Sequence, residues 1–219
     1  AFSESSLTSL FIPPLVERLE EYWCHYTIEM KEIILSPNNH NFMLYENKFL
    51  LGKSNPKSDI FDVLLFVDRS LIGSVIIPSF IREIAPYAFT YCFDITNIVF
   101  PDDSQLEIIH KYAFSTILFE SIKIPSRVKQ IGKYAFFGIP FKLKHVDFVS
   151  NYNSILIHPK AFPFSLNEFA RKLYFIKMPY QYESMKMKIK NNVFRKLYSN
   201  FFIFLMAFLI KIMTKPIKL

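Results

Sequence analysis

The sequence predicts an α/β-type repeat solenoid: short coils of backbone stacked in register, with a parallel β-sheet along one face, one β-hairpin insertion and a C-terminal hydrophobic helix. Three observations predict it. A phrase recurs along the 219 residues, plainest at 76–89 (IIPSFIREIAPYAF) and 123–138 (KIPSRVKQIGKYAFFG). Apolar residues hold fixed places around each copy. The composition is 51% apolar with 25 Phe and four Gly, which suits a packed core and argues against disorder, collagen-like structure and glycine-rich phosphate loops.

The strand comes first. The proline of "I-P" anchors each copy, at Pro13, Pro78, Pro101, Pro125 and Pro179, with Ser36 and Val149 in the same place. Six, three and one residues before each anchor lie Leu7, Leu10, Ile12; Met30, Ile33, Leu35; Ile72, Val75, Ile77; Ile95, Ile98, Phe100; Phe119, Ile122, Ile124; Leu143, Val146, Phe148; and Leu173, Ile176, Met178. All 21 are apolar. Positions three and one before the anchor share one face of a short strand. Proline then ends the strand, because it has no N–H for the next rung.

The return half follows. Ala-Phe occurs at Ala88-Phe89, Ala113-Phe114, Ala135-Phe136 and Ala161-Phe162, and Ala1-Phe2 opens the chain with the same pair. Trp23-Cys24 and Val193-Phe194 occupy matching places. Four residues earlier lie Leu19, Ile84, Ile109, Ile131, Ile157 and Ile189, and before them Val16, Ile81, Leu106 and Val128; Ser154 and Lys186 break that outer position, so the last repeats are degraded. A unit of about 23 residues buries this face only against its neighbours, as in repeat architectures of that period. The opening Ala-Phe implies a coil upstream.

Anchor spacings of 23, 42, 23, 24, 24 and 30 place an insertion at about 38–71. It holds two β-like runs, NFMLYENKFLL and DIFDVLLFV, separated by the turn-rich GKSNPKS. The expectation is a hairpin that leaves the solenoid between coils, either as a structural flap or as a functional loop.

The phrase I-P-x-x-V-x-x-I-G-x-x-A-F, met at every fixed place from Ile124 to Phe136, resembles the leucine-rich repeat of the BspA type, found in surface proteins of bacteria and of mucosal protozoan parasites. The resemblance covers about 1–195 and leaves 196–219 as a hydrophobic, basic tail. It implies a cell-surface antigen or adhesin whose partners are host matrix or cell-surface proteins. The chain carries no N-x-S/T acceptor, and its opening AFSESS is not a signal peptide.

No catalytic constellation stands out. The five histidines (His25, His40, His110, His145, His158) are scattered, and HExxH, GxSxG and Walker motifs are absent. Two cysteines, Cys24 and Cys92, are too few for a disulfide scaffold or a cysteine zinc site. Cys24 takes a Phe place and reads as a small buried hydrophobe. Asp102-Asp103 reads as a solvated turn. Neither catalytic, cofactor-binding nor metal residues are assigned, an enzyme is not supported, and nucleic acid is not an expected partner.

The residue two before each anchor points away from the core. These are Phe11, Ile34, Ile76, Val99, Lys123, Asp147 and Lys177, apolar at first and then charged. They form the candidate partner-binding stripe; the bland alternative is that β-branched residues simply suit strands. Charge is uneven too: 1–170 hold 15 basic and 18 acidic side chains, whereas 171–219 hold 11 basic ones and Glu183 alone. Within that basic tail the ten apolar residues from Phe201 to Ile210 leave three readings open: a short transmembrane helix, an interfacial helix, or a cap on the last coil. The functional expectation is a non-enzymatic, protein-binding surface module, membrane-associated through this tail. The alternative is an intracellular scaffold using the same face.

Overall fold

The computed structural model describes residues 5–137, 143, 145–149, 154–158 and 160–162, all within the compact unit Ala1–Phe175. Each coil opens with a short strand: β1 (Ser9–Ile12), β2 (Glu32–Leu35), β6 (Gly73–Ile76), β8 (Ile95–Val99), β10 (Ser121–Ile124) and β12 (His145–Phe148). They pair in parallel, and the register sets like positions opposite one another: Leu10 with Ile33, Val75 with Ile98, Ile122 with Val146. The anchors end the strands as turns. The carbonyls of Pro13, Pro78, Pro101 and Pro125 accept from the N–H of Val16, Ile81, Ser104 and Val128 at 3.0–3.3 Å.

The return half is built differently from the expectation. Among the described residues there is no helix, so the α in the expected α/β class is corrected. Two-residue strands β7 (Glu83–Ile84), β9 (Ile108–Ile109), β11 (Gln130–Ile131) and β13 (Leu156–Ile157) form a second parallel ladder, with Ile84, Ile109, Ile131 and Ile157 in line. A turn follows each. Its third residue is Tyr87, Tyr112 or Tyr134, at φ 64, 57 and 57. A left-handed residue every coil, and a second at Tyr91 and Thr116 (φ 69 and 67), leaves no run long enough for a helix.

Those turns deliver Ala and Phe inward. Ala113, Ala135 and Ala161 are fully buried; the N–H of Phe89, Phe114 and Phe136 donates to the carbonyl of the next coil's Ala at 3.0, 2.8 and 2.9 Å. Phe89, Phe114, Phe136 and Phe162 consequently stack, with ring centroids 4.8, 5.2 and 4.9 Å apart. Coils approach so closely that a Cβ on Gly132 would lie 2.6 Å from the backbone nitrogen of Lys111. Where Ser154 breaks the pattern, its neighbour Ile155 is buried instead.

The insertion forms the expected hairpin, with Phe49–Gly52 and Val63–Val67 antiparallel across the GKSNPKS turn region, but its placement is corrected. It does not leave the solenoid. Its first run folds on itself: β3 (Met43–Tyr45) and β4 (Phe49–Gly52) are antiparallel, with Tyr45 opposite Phe49, around a turn in which Glu46 and Asn47 are both left-handed (φ 51 and 53) and the Lys48 N–H donates to the Tyr45 carbonyl at 3.1 Å. β5 (Val63–Val67) pairs antiparallel with β4 and parallel with β7, giving the seven-stranded order β13-β11-β9-β7-β5-β4-β3. Both faces of this wall are covered. Phe49, Leu51, Leu64 and Val67 join the main core, while Phe42, Leu50 and Phe66 join a second core with Leu10, Trp23, Met30 and Ile33. The register slips between Leu50 and Leu51, so Leu65 is extra and packs on the same side as Phe66.

Arg69, just past β5, is 6% exposed and ties the two halves together. It donates to the Cys24 carbonyl (3.2 Å) and to Thr27 Oγ1 (3.1 Å), and its guanidinium lies 5.1 Å from the Phe66 ring and 5.4 Å from the Tyr91 ring. Its Nε has no partner among the described residues. Burial pulls the Arg69 pKa below the usual arginine value, opposed by its sulfur and phenol neighbours.

The first-strand sheet is interrupted twice, between β2 and β6, where the insertion lies, and between β8 and β10. It resolves into three two-stranded pieces, β1-β2, β6-β8 and β10-β12, with β10 beside β8 but not laddered to it. Ile72, expected inside, is 75% exposed. The chain enters β6 through Gly73 at φ 76, which turns Ile72 out and leaves Leu71 packed on the core. The expected C-terminal helix, the tail 196–219 and the repeat anchored at Pro179 lie outside the described residues.

Phe114 is sandwiched between two other rings, so Phe114→Ala removes the middle of the stack. The expected cost is about 3–5 kcal/mol, read as a lower denaturant midpoint in equilibrium unfolding.

Candidate functional site

The outward positions of the first strands form the site. Side chains alternate across a strand, so the burial of Leu10, Ile33, Val75, Ile98 and Ile122 turns their neighbours to solvent. Phe11, Ile34, Ile76 and Val99 are 55%, 45%, 62% and 36% exposed, and Lys123 and Asp147 are exposed as well. The register pairs them directly: Phe11 with Ile34, Ile76 with Val99, Lys123 with Asp147. The stripe is therefore three pairs on three short sheets, not one unbroken row. Lys177 lies outside the described residues.

Other neighbours were not legible in the sequence. Ile72, exposed, lines the same cavity as Ile76 and Tyr45, and Tyr45 from the hairpin packs edge-on against the partly exposed Phe80 at 5.3 Å. A cavity of about 600 Å³ opens between the hairpin and β6. Asn97 Nδ2 donates to Ser74 Oγ (3.2 Å) beside the Ile76–Val99 pair.

The opposite side of the coils is a contrast, because several of its charges pair with one another. Arg82 and Lys129 both reach Glu107 (2.9 and 2.6 Å), which holds the Glu107 carboxyl below the usual carboxylate range, Lys129 more than Arg82. His110 Nε2 lies 2.8 Å from Glu83 Oε2, and Lys111 pairs with Glu21 at 2.7 Å. A partner there would have to break ion pairs; on the apolar stripe it would displace only water.

For chemistry the arrangement offers little. Among the described residues no group of three or more His, Cys, Asp or Glu side chains could hold a metal. Asp102 and Asp103 are exposed on a turn whose Asp103 carbonyl accepts from Gln105 Nε2 at 2.7 Å. No helix among the described residues is long and apolar enough to cross a membrane.

The family described as BspA type leucine rich repeat region matches residues 65–200 in six copies. The chain belongs to this family. Its coils from residue 65 on are thus BspA-type repeats, and the fold is a leucine-rich-repeat β-solenoid. Among solved structures, a leucine-rich repeat protein from Eubacterium ventriosum is similar at 20% identity and TM-score 0.55, over 67% of this chain and 37% of that one. Also similar are a leucine rich cell surface protein from Faecalibacterium prausnitzii, at 18% identity and TM-score 0.42 over 71% and 52% of the two chains, and the pneumococcal vaccine antigen PcpA, at 16% and 0.44 over 72% and 49%. This chain therefore spans about a third to a half of the length of those structures. A comparison with curated proteins found no match.

In the BspA-type coil the Phe place points into the core, and Cys24, which takes that place, is 2% exposed. Burial raises its thiol pKa to about 11 and that of Cys92 to about 12, against the lowering pull of Arg69. Thiolate is the reactive form, so at pH 8 a thiol reagent is expected to label neither cysteine in the native chain. Both should label on unfolding, counted by mass spectrometry.

Proposed function

We propose that this chain is the recognition part of a cell-surface antigen or adhesin, a non-enzymatic repeat module that binds host proteins or proteins of other cells. The single observation that carries the reading is the Ile76–Val99 pair: two large apolar side chains, in register, turned to solvent on adjacent strands, with exposed Ile72 lining the same cavity as Ile76. Exposed apolar residues gathered in this way are characteristic of surfaces that pair with another protein. Membership of the BspA-type family supports a surface setting, and the ion pairs on the opposite side favour the strand face. The pair Lys123 and Asp147 would form a polar rim.

Association of the tail with a membrane through Phe201–Ile210 is part of the same proposal, supported by the apolar run and the surrounding lysines. An intracellular scaffold would use the same face. Labelling of intact cells with a membrane-impermeant reagent separates the two, because a scaffold stays unlabelled.

Replacing Ile76 and Val99 together by Asp places charge where the partner would have to desolvate it. Binding to immobilised extracellular-matrix or host-cell surface proteins is expected to fall at least about tenfold, while the thermal unfolding curve barely moves because both positions already face water. Binding that survives the double substitution removes this face from the proposal.

A further inference from the structure

Strand β6 has a bare edge. Among the described residues it ladders to β8 alone. Gly73 N–H donates to the Asp94 carbonyl (2.8 Å) and Ile77 N–H to the Val99 carbonyl (2.9 Å), which fixes which residues face β8. Backbone groups alternate sides along a strand, so the N–H and C=O of Ser74 and Ile76 point the other way. On that side no described strand is laddered to it, since the preceding strand β2 belongs to a separate sheet.

The cavity of about 600 Å³ lies along this edge. Its lining includes Ile72, Ser74 and Ile76 from the outer face of the strand and Leu71, Val75 and Ile77 from the inner face. A cavity that touches both faces of a strand runs along its side, which is where a further strand would sit. Tyr45 and Phe49 of the hairpin make the far wall. An open edge of this kind is a template for another backbone.

We propose that this slot accepts an extended peptide from another protein, parallel to β6, with apolar side chains at alternate positions and a basic residue after the strand. Three observations define that occupant. The unpaired N–H and C=O groups call for backbone partners, which a peptide strand supplies and a lipid or sugar does not. The inner wall of Leu71, Val75, Tyr45 and Phe49 takes apolar side chains. Of the charged residues lining the slot, Lys48 and Glu46 pair with each other at 2.9 Å, while Asp103, beyond the C-terminal end of β6, has no ion-pair partner among the described residues. The four residues of β6 span about 13 Å at the rise of a parallel strand, so a stretch of about four residues is read. This rests on the reading above, in that Ile76 belongs to both surfaces, but it depends on the backbone edge and not on the outer face.

Hydrogen exchange on the full chain tests it. The probe is a synthetic peptide, FESIKIPSR, copied from residues 119–127, which carries the alternating pattern and a terminal Arg; the control has Pro for the first Ile. In the free chain the amides of Ser74 and Ile76 should exchange faster than those of Gly73 and Ile77. At saturating peptide they should slow at least about tenfold, as for a newly made backbone hydrogen bond, and the Pro control should leave them unchanged. Slow exchange at Ser74 and Ile76 in the free chain, or a peptide that changes neither, overturns the proposal. Protection that appears with chain concentration alone also overturns it, by putting a second copy in the slot. If the double Asp substitution abolishes partner binding while the peptide never protects Ser74, the face reading stands and the edge reading falls.

Discussion

Everything in this fold depends on the close stacking of one coil on the next. A single coil has an apolar side that it cannot cover by itself. Stacked, each coil hides its neighbour's, and the Phe89–Phe114–Phe136–Phe162 column, at about 5 Å per step, runs down the centre. That spacing is the spacing of hydrogen-bonded strands, so ring packing and backbone pairing demand the same repeat. Ala beside Phe at 88, 113, 135 and 161 is fully buried in this column, and at Gly132 the coils come so close that a Cβ would meet the Lys111 backbone.

The tyrosines show what this register costs. Tyr87, Tyr112 and Tyr134 hold a left-handed backbone that disfavours side chains larger than glycine by about 1–2 kcal/mol. In exchange their rings stack at 5.0 and 5.1 Å, and such pairs contribute about 0.5–1.5 kcal/mol beyond burial. The two magnitudes are comparable, so a residue that looks strained in one coil is held in place by its copies in the neighbouring coils. Tyr22 continues the column against Tyr87 at 5.1 Å, across the point where the insertion interrupts the coils.

Much of the solenoid was legible because its signals are local and repeated. The inward positions around each anchor, the Ala-Phe pairs and the outward stripe all follow from a period of two within a strand and about 23 between coils, and the structure places Phe11, Ile34, Ile76, Val99, Lys123 and Asp147 on exposed positions as those periods require. Errors arose where the determining contact is distant in sequence. NFMLYENKFLL reads as one strand, but Glu46-Asn47 bends it into two. DIFDVLLFV gives no sign that Leu64 and Phe66 serve different cores, because that depends on Leu65 being extra against β4. Ile72 fits the apolar pattern and still points to solvent, since Gly73 turns the chain just there. The cavity beside β6 is a consequence of those same long-range choices, so no local pattern announced it.

The insertion therefore links fold to function. Inserted residues usually sit outside a solenoid, as a loop on one face. This one is drawn inside, because both sides of β4 and β5 are apolar and neither could remain in water. Once a two-faced wall stands between two cores, the return ladder can continue through β5 but the first-strand sheet cannot continue from β2 to β6. At this break the core is preserved at the expense of the backbone hydrogen bonds between β2 and β6, and the unpaired edge of β6 faces a cavity at the same place where the outward apolar pair begins. Packing fixes the inward residues of every coil, which leaves partner choice to the outward residues and the interrupted edge. Both meet at Ile76.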